Sequence, residues 1–598
     1  LHHRKEQLKI KKTFVHQHTL PKLPVPPLNH TKVKLLEWIE PLVSNEQYEK
    51  TRQVVHQFFR PGGDAGKLQQ QLRAWDQARD GSWLTPLWED MYLKHRGSLP
   101  LTSNFNILLE ANQTDIAGKI SFLLRELYHS IIDETLEPHF FKGKPLDMGQ
   151  YTKLFRSVRI PQLDKDTFYV AEHDKKDNHV VILYKNNVYK VPVTNEEGIP
   201  YSIDAISSAI QSRLEKDADE NDSVNVGIFT TAERDEAAQL YNKLKQSNVN
   251  ADTLQTIADS LAIISIDECS ETSQEALENL MLHPTNKHFD KTIQIVLTKN
   301  GEVGFNIEHS AVDGMTVSTV VGHIFNGLQK ELIQTDCCTE APRIEKKEWD
   351  LSEDVKIRLE QLRFKYLAQS KEFSLLKTTF NDFGAEKIKE LQISPDAFFH
   401  MALQLAQYRT YGEFKSVYEP VSVGYFHEGR TENARATSME KRILVEAIES
   451  GEESNETLYS LMKIASNAHS ARIQYCQKGL GVERHLFGLE QMYYRFGDQL
   501  GINELPELFR DEGYVKLRHD FISTSGMIYP GARSRMFAPV VEDGHGLAYF
   551  ILDHSISLNL SSFTVNEFKG KQLMNHMIAA LEELRMIAED EMFIEDIS

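Results

Sequence analysis

The amino-acid sequence predicts a mixed α/β protein of two to four domains, and three observations predict it. The chain has 598 residues, more than one ordinary hydrophobic core accommodates. Segments with strand patterns alternate with segments of helical pattern in both halves. A charged, proline-bearing stretch from Asp336 to Trp349 interrupts the apolar patterning near the middle. The expected organisation is a tail over 1–19, a first lobe over 20–372 and a second lobe over 373–598.

Taken in order, Leu20-Pro-Lys-Leu-Pro-Val-Pro-Pro-Leu28 forbids a helix and reads as extended chain or a plain linker. Helical patterns follow over Thr31–Phe59 and Lys67–Ala78, broken by Pro61-Gly-Gly63, and again over Ile116–Leu136. His179–Tyr184 and Val188–Val193 read as a hairpin around Lys185-Asn-Asn187. Ala232–Gln246 reads as a helix and Ile263–Ile266 as a short apolar strand. Thr292–Thr298 and Val303–Glu308 form the clearest hairpin, turning at Lys299-Asn-Gly301, and a helix follows over Met315–Leu332. In the second half, Pro395–Tyr411 has proline at its start and Gly412 just past its end, the signature of a well-bounded helix. Val421–Phe426 reads as a strand, Glu456–Gln477 and Lys569–Glu589 as helices, and Met536–Ile556 as two strands around Asp543-Gly544.

Composition excludes several function classes. Hydrophobic residues make up 41% and charged residues 26%, a globular profile. With 87 acidic against 67 basic residues the net charge is -20, which argues against general nucleic-acid binding. The four cysteines, Cys269, Cys337, Cys338 and Cys476, show neither C-x-x-C nor zinc spacing, so no metal is expected. No apolar run approaches the ~20 residues that span a bilayer, so no transmembrane segment is expected. Leu1 to Lys12 is basic and lacks the apolar core of a secretory signal. The expected location is the cytoplasm, with the mitochondrial matrix as the alternative.

The sharpest local signal is Glu308-His309-Ser-Ala-Val-Asp313-Gly314. It falls where a strand ends and a helix begins, a place from which a side chain projects while its backbone stays fixed. Imidazole titrates near neutral pH and can take a proton from a hydroxyl or a thiol. Asp313 could orient the ring or anchor the turn, and no second His or carboxylate stands at metal-ligand spacing on one helix face.

Around this signal the chain resembles the choline/carnitine O-acyltransferase family from about Leu20 to about Asp590. The resemblance is carried by the proline-rich opening, by Trp83, Trp88, Tyr92-Leu93 and Arg96 with Ser103-Asn104, and by Gln150-Tyr151 with Phe155 and Arg159-Ile-Pro161. It continues through Phe289-Asp-Lys291, Ser394-Pro-Asp-Ala-Phe398, Tyr411-Gly412, Tyr418-Glu419, Phe426-His-x-Gly-Arg-Thr431, Arg484-His485, Ser523-Thr-Ser525 and Phe537-x-Pro-Val-Val-x-Asp-Gly544. The resemblance implies two lobes, each like chloramphenicol acetyltransferase, with mixed sheets and flanking helices and an active-site tunnel between them. It implies reversible acyl transfer between coenzyme A, a co-substrate rather than a permanent cofactor, and the carnitine hydroxyl. It also implies a monomer.

By the same resemblance His309 is the general base and Ser525 the oxyanion donor; locally, Ser523-Thr-Ser525 also reads as a turn cap. Arg484, Tyr418 and Thr431 match the holders of the carnitine carboxylate, and Ser523 lies with them. Arg484 also reads as a structural ion pair on a helix. Phe537 matches the aromatic group beside the trimethylammonium, or is a plain core ring. Lys389, Lys387 and Asp396 match the coenzyme A region. Three residues depart from the family pattern: Ala385 replaces a coenzyme A lysine, Arg535 stands at the acyl-pocket position, and Gly526 replaces a polar residue of short-chain members. Arg535 either blocks the channel, for a short- or medium-chain substrate, or points to solvent. The alternatives are another acceptor such as choline, which Arg484 disfavours, or a degenerate member that binds without efficient turnover.

Overall fold

The computed structural model describes residues 11–111, 113–218, 223–267 and 273–595. The chain divides into two compact units, one of residues 1–20, 89–372 and 528–538, the other of 21–88, 373–527 and 539–598. This differs from two successive lobes in two places. Residues 21–88 belong to the second unit because their helices Leu28–Ile39 and Asp64–Gln77 pack against helix Val482–Phe496, with Trp83 buried against Gly488. Residues 528–538 belong to the first unit because strand Ala532–Phe537 pairs with strand Phe105–Glu110. Within the expected tail, 1–10 lie outside the described residues, whereas Thr13 is buried and its hydroxyl donates to the Leu136 carbonyl.

The first unit is organised on an eight-stranded sheet among the described residues. Its order is Glu345–Lys347, Asn187–Pro192, His179–Tyr184, Ile263–Asp267, Ile293–Thr298, Glu302–Ile307, Phe105–Glu110 and Ala532–Phe537. Ile263–Asp267 runs parallel to both neighbours; the other pairings are antiparallel. The hairpins turn where local chemistry directs. Lys185 and Asn186 both take positive φ, the two-residue turn whose twist matches the strands. Gly301, at φ 81°, closes the second hairpin by donating its N–H to the Thr298 carbonyl. One face near His309 is covered by helix Ser273–Leu282, where Leu280 packs so closely on Gly304 that a side chain there would collide.

The second unit holds a five-stranded sheet in the order Phe373–Phe380, Ile556–Phe563, His545–Ile551, Ile522–Ser525 and Val417–Tyr418. Helices Pro395–Tyr411 and Glu567–Glu595 pack together over a core that includes Phe398, Leu405, Leu558, Leu560 and Leu581. Pro395 opens its helix and Gly412 ends it at φ 72°. Ser454 caps helix Asn455–Gln477 by accepting the Thr457 N–H. The expected strand over 421–426 is only Pro420–Ser422, because the chain turns back where the Phe426 N–H reaches the Val423 carbonyl.

Of the two strands expected over Met536–Ile556, only the second exists, as His545–Ile551; the first is absent, because the strand before it, Ala532–Phe537, ends at Phe537 and joins the other sheet. No helix among the described residues is long and apolar enough to cross a membrane. Cys337, Cys338 and Cys476 are free thiols, and Cys269 lies outside the described residues.

Candidate active site

His309 follows strand Glu302–Ile307 and precedes helix Gly314–Leu328, whose N-cap is Asp313. Its side chain is 28% exposed. Nδ1 lies 2.8 Å from the Val312 carbonyl oxygen. A carbonyl only accepts, so in the neutral ring Nδ1 carries the proton and Nε2 carries the basic lone pair. Asp313 is 3.9 Å from Nδ1, beyond hydrogen-bond reach. It is held instead by Gln150, whose amide donates to Oδ2 at 2.8 Å and accepts the Asp313 N–H at 2.7 Å. The backbone carbonyl therefore orients the ring, and Asp313 anchors the turn through Gln150. The rings of Tyr92 and Phe105 flank the imidazole at 5.6 and 4.9 Å between centroids.

Beneath His309 lies a fully buried group of charges. Glu308 accepts the Ser310 N–H and hydroxyl and faces Arg159 at 3.4 Å. Arg159 donates to Asp166 and to the Tyr92 carbonyl, each at 2.7 Å. Arg234 joins Asp166 at 2.6 Å and Asp290 at 2.7 Å. Burial pushes the Asp166 carboxyl up, but Arg234 and Arg159 outweigh it and hold it below the usual range. At Asp290 burial wins over Arg234, and the carboxyl is pushed up to about 6. The group ties the helix of Tyr92, the strand of Arg159 and the start of the His309 loop into one rigid support.

In the second unit Arg484 is buried, with its guanidinium 3.8 Å from the Trp88 ring centroid. It donates to the Tyr418 hydroxyl and the Thr431 carbonyl, each at 3.1 Å. Glu483, 4.0 Å away, forms an ion pair with Arg484 and is also engaged by Arg435. Glu432 accepts the Arg484 N–H, and burial pushes its carboxyl up to about 7 against the pull of Arg484. Ser523 pairs with Tyr418 on parallel strands, and Ser525 lies two residues on, so all three share a face. The Thr524 hydroxyl points the other way, to the Tyr418 carbonyl. These residues form a strand rather than a turn cap.

Of the residues matched to coenzyme A, Lys387 is engaged by Glu589 at 2.8 Å and Glu390 at 3.4 Å, while Lys389 is exposed. Ala385 is buried, so its side chain is part of the packing. Asp396 accepts from Tyr549 at 2.7 Å and lies 3.1 Å from His469 Nε2. With His400 and Glu419 these residues place four candidate metal-ligand atoms within 4.8 Å of one another. Asp396 and His469 share a hydrogen bond, Glu419 lies 3.5 Å from both His400 and His469, and Lys441 Nζ lies 3.0 Å from His469 Nδ1. Burial lowers the His469 pKa, but Glu419 and Asp396 outweigh it and raise it. Gly526 also has a local reason: a side chain there would collide with the Tyr549 ring, which stacks on Phe399.

Phe537 and Arg535 lie in the first unit, on the strand beside Phe105. Within that unit the cation near Phe537 is Arg535, 5.7 Å from the ring centroid. Arg535 is buried, so of its two expected orientations the solvent-facing one is excluded. Gln150, Trp88, Phe105 and Tyr529 were not singled out as site residues. Gln150 and Trp88 sit in the matching blocks, which was their signal; Phe105 and Tyr529 had none.

The sequence profile of the family described as Choline/Carnitine o-acyltransferase matches residues 23–583, and the chain belongs to this family. It is 28% identical to the carnitine O-acetyltransferase of Columba livia, covering 96% of this chain and 94% of that one. It is 29% identical to the mitochondrial carnitine O-palmitoyltransferase 2 of Homo sapiens (97% and 93%) and 29% identical to the choline O-acetyltransferase of Sus scrofa (91% and 88%). Among solved structures, it aligns with a trichothecene 15-O-acetyltransferase from Fusarium sporotrichioides at a TM-score of 0.37 and 9% identity, over 83% of this chain and 94% of that one.

Proposed function

We propose that this protein is a carnitine O-acyltransferase, exchanging a short- or medium-chain acyl group between coenzyme A and the carnitine hydroxyl. The observation that carries the acceptor is Arg484, a buried guanidinium joined to Tyr418 and Thr431, the three residues matched to the carnitine carboxylate. Choline offers no carboxylate for such a group. His309 Nε2 takes the proton of the carnitine hydroxyl while the Nδ1 bond to Val312 holds the ring. The oxygen attacks the thioester carbonyl, and Ser525 donates to the oxyanion. Collapse breaks the carbon–sulfur bond, and the imidazolium returns its proton to the departing coenzyme A thiolate. Lys389 is proposed for the phosphates of coenzyme A, with Lys387 and Asp396 beside it; the acidic partners of Lys387 make it the weaker contact.

The test is thiol release from acetyl-, octanoyl- and palmitoyl-coenzyme A with carnitine, with choline as competitor. His309→Ala is expected to lower kcat by about 10²–10⁴-fold. Arg484→Ala is expected to raise KM for carnitine by about 10–100-fold with a smaller change in KM for coenzyme A. No turnover with any donor, or unchanged turnover in His309→Ala, removes the reading.

A further inference from the structure

Arg535 stands opposite Ile107 in the strand pairing, and Phe537 opposite Phe105. Phe105 is in turn opposite Ile307, and His309 follows two residues later. Alternate residues of a strand share a face, so Arg535, Phe537, Phe105, Ile107 and Ile307 stand on one side of the sheet. The other side, that of Gly304, is the one Leu280 covers. The Phe105 ring joins the two functional groups of this face, 4.9 Å from the His309 ring and 5.7 Å from the Arg535 guanidinium carbon.

Arg535 is only 7% exposed. The rings of Phe105, Tyr529 and Phe537 surround its guanidinium at 5.6–5.7 Å. Ring faces attract the charge but accept few of its hydrogen bonds. Nε and Nη1 are buried without an acceptor, and among the described residues no carboxylate forms an ion pair with Arg535. Such a group is expensive to keep in a folded protein unless a ligand completes it. A ligand carboxylate supplies both the missing charge and the missing acceptors.

We propose that Arg535 determines donor specificity by receiving the free carboxylate of a short dicarboxylic acyl group joined to coenzyme A through its other end. This rests on the acyl-transfer reading above, in which the reacting carbonyl lies at His309. The three rings then flank the methylenes of the acyl chain, and the shared Phe105 keeps carbonyl and carboxylate within a short chain of each other. An uncharged acyl chain of equal length would leave the Arg535 donors empty. The carboxylate of the acceptor is not needed here, since Arg484 is assigned to it.

The test compares glutaryl-coenzyme A with pentanoyl-coenzyme A, equal in chain length and different in terminal charge. With carnitine as acceptor, kcat/KM is expected to favour glutaryl by about tenfold or more. Arg535→Met is expected to reverse the preference, and Arg535→Lys to retain part of it. Calorimetric binding of both esters to the unmodified full chain is measured without carnitine. Tighter glutaryl binding without turnover supports this proposal and removes the transfer reading instead. Equal or tighter binding of pentanoyl-coenzyme A to the unmodified chain overturns the proposal, whether or not the variants fold.

Discussion

Two buried groups of charge in the first unit make an instructive pair. Arg159 and Arg234 are completely enclosed, yet each meets carboxylates: Asp166 bridges them, Glu308 faces one and Asp290 the other. Arg535 is almost as enclosed and meets only aromatic rings. The paired group lies under the His309 loop and fixes where the imidazole stands. The unpaired one lies on the side of the same sheet away from Leu280. Burial of charge is thus handled in two ways: matched by carboxylates of the chain where rigidity is required, and left without a carboxylate where, on the proposal above, a substrate supplies it.

The comparison can be broken most sharply at Asp166. Asp166→Ala leaves Arg159 and Arg234 uncompensated, and unfolding in denaturant is expected to show a loss of about 3–5 kcal/mol. A loss below 1 kcal/mol would mean that the paired group is not a structural support.

Glu432 in the second unit offers an intermediate case, a buried acid beside the Arg484 backbone N–H. Its folded pKa is raised to about 7, so from its ordinary value of 4.5 up to 7 the folded state holds a proton that the unfolded chain releases. Its contribution is present below 4.5 and is lost as pH rises through 7. Glu432→Gln is therefore expected to gain stability relative to the parent between pH 5 and pH 8, by about 2 kcal/mol in denaturant titrations. An unchanged difference at the two pH values would place the carboxylate in ionised form.

The smallest effect is expected at Arg535. Replacing an unpaired buried cation with methionine removes a desolvation cost, and Arg535→Met is expected to raise stability by about 1 kcal/mol without ligand. A loss instead would show that the three rings alone repay the burial of the guanidinium. Each result moves the line between the completed and the incomplete group.

Much of this was legible in the residues. The hairpin ending at Ile307, the histidine after it and the following helix were readable because alternation, a glycine turn and helical period are local properties. The helix Pro395–Tyr411 was readable for the same reason, from its proline and its terminal glycine. The grouping of Arg484 with Tyr418 and Thr431 was not local, and only the resemblance suggested it. The spacing to Asp313 left two roles open, orienting the ring or anchoring the turn; loop closure brings the Val312 carbonyl nearer to Nδ1 and gives Asp313 to Gln150, which favours the second.

The sequence by itself determined the hairpins at Lys185-Asn186 and Gly301, the placement of His309 at a strand end, and the membership of an acyltransferase family through blocks spread along the chain. Tertiary structure alone decided that strand Ala532–Phe537 pairs with Phe105–Glu110 rather than with its neighbour His545–Ile551. That pairing is what buries Arg535 beside Phe105 on the face that leads to His309. The reason is physical: periodicity and turn chemistry act over a few residues, but strand partnership and the burial of charge are settled by contacts between segments hundreds of residues apart.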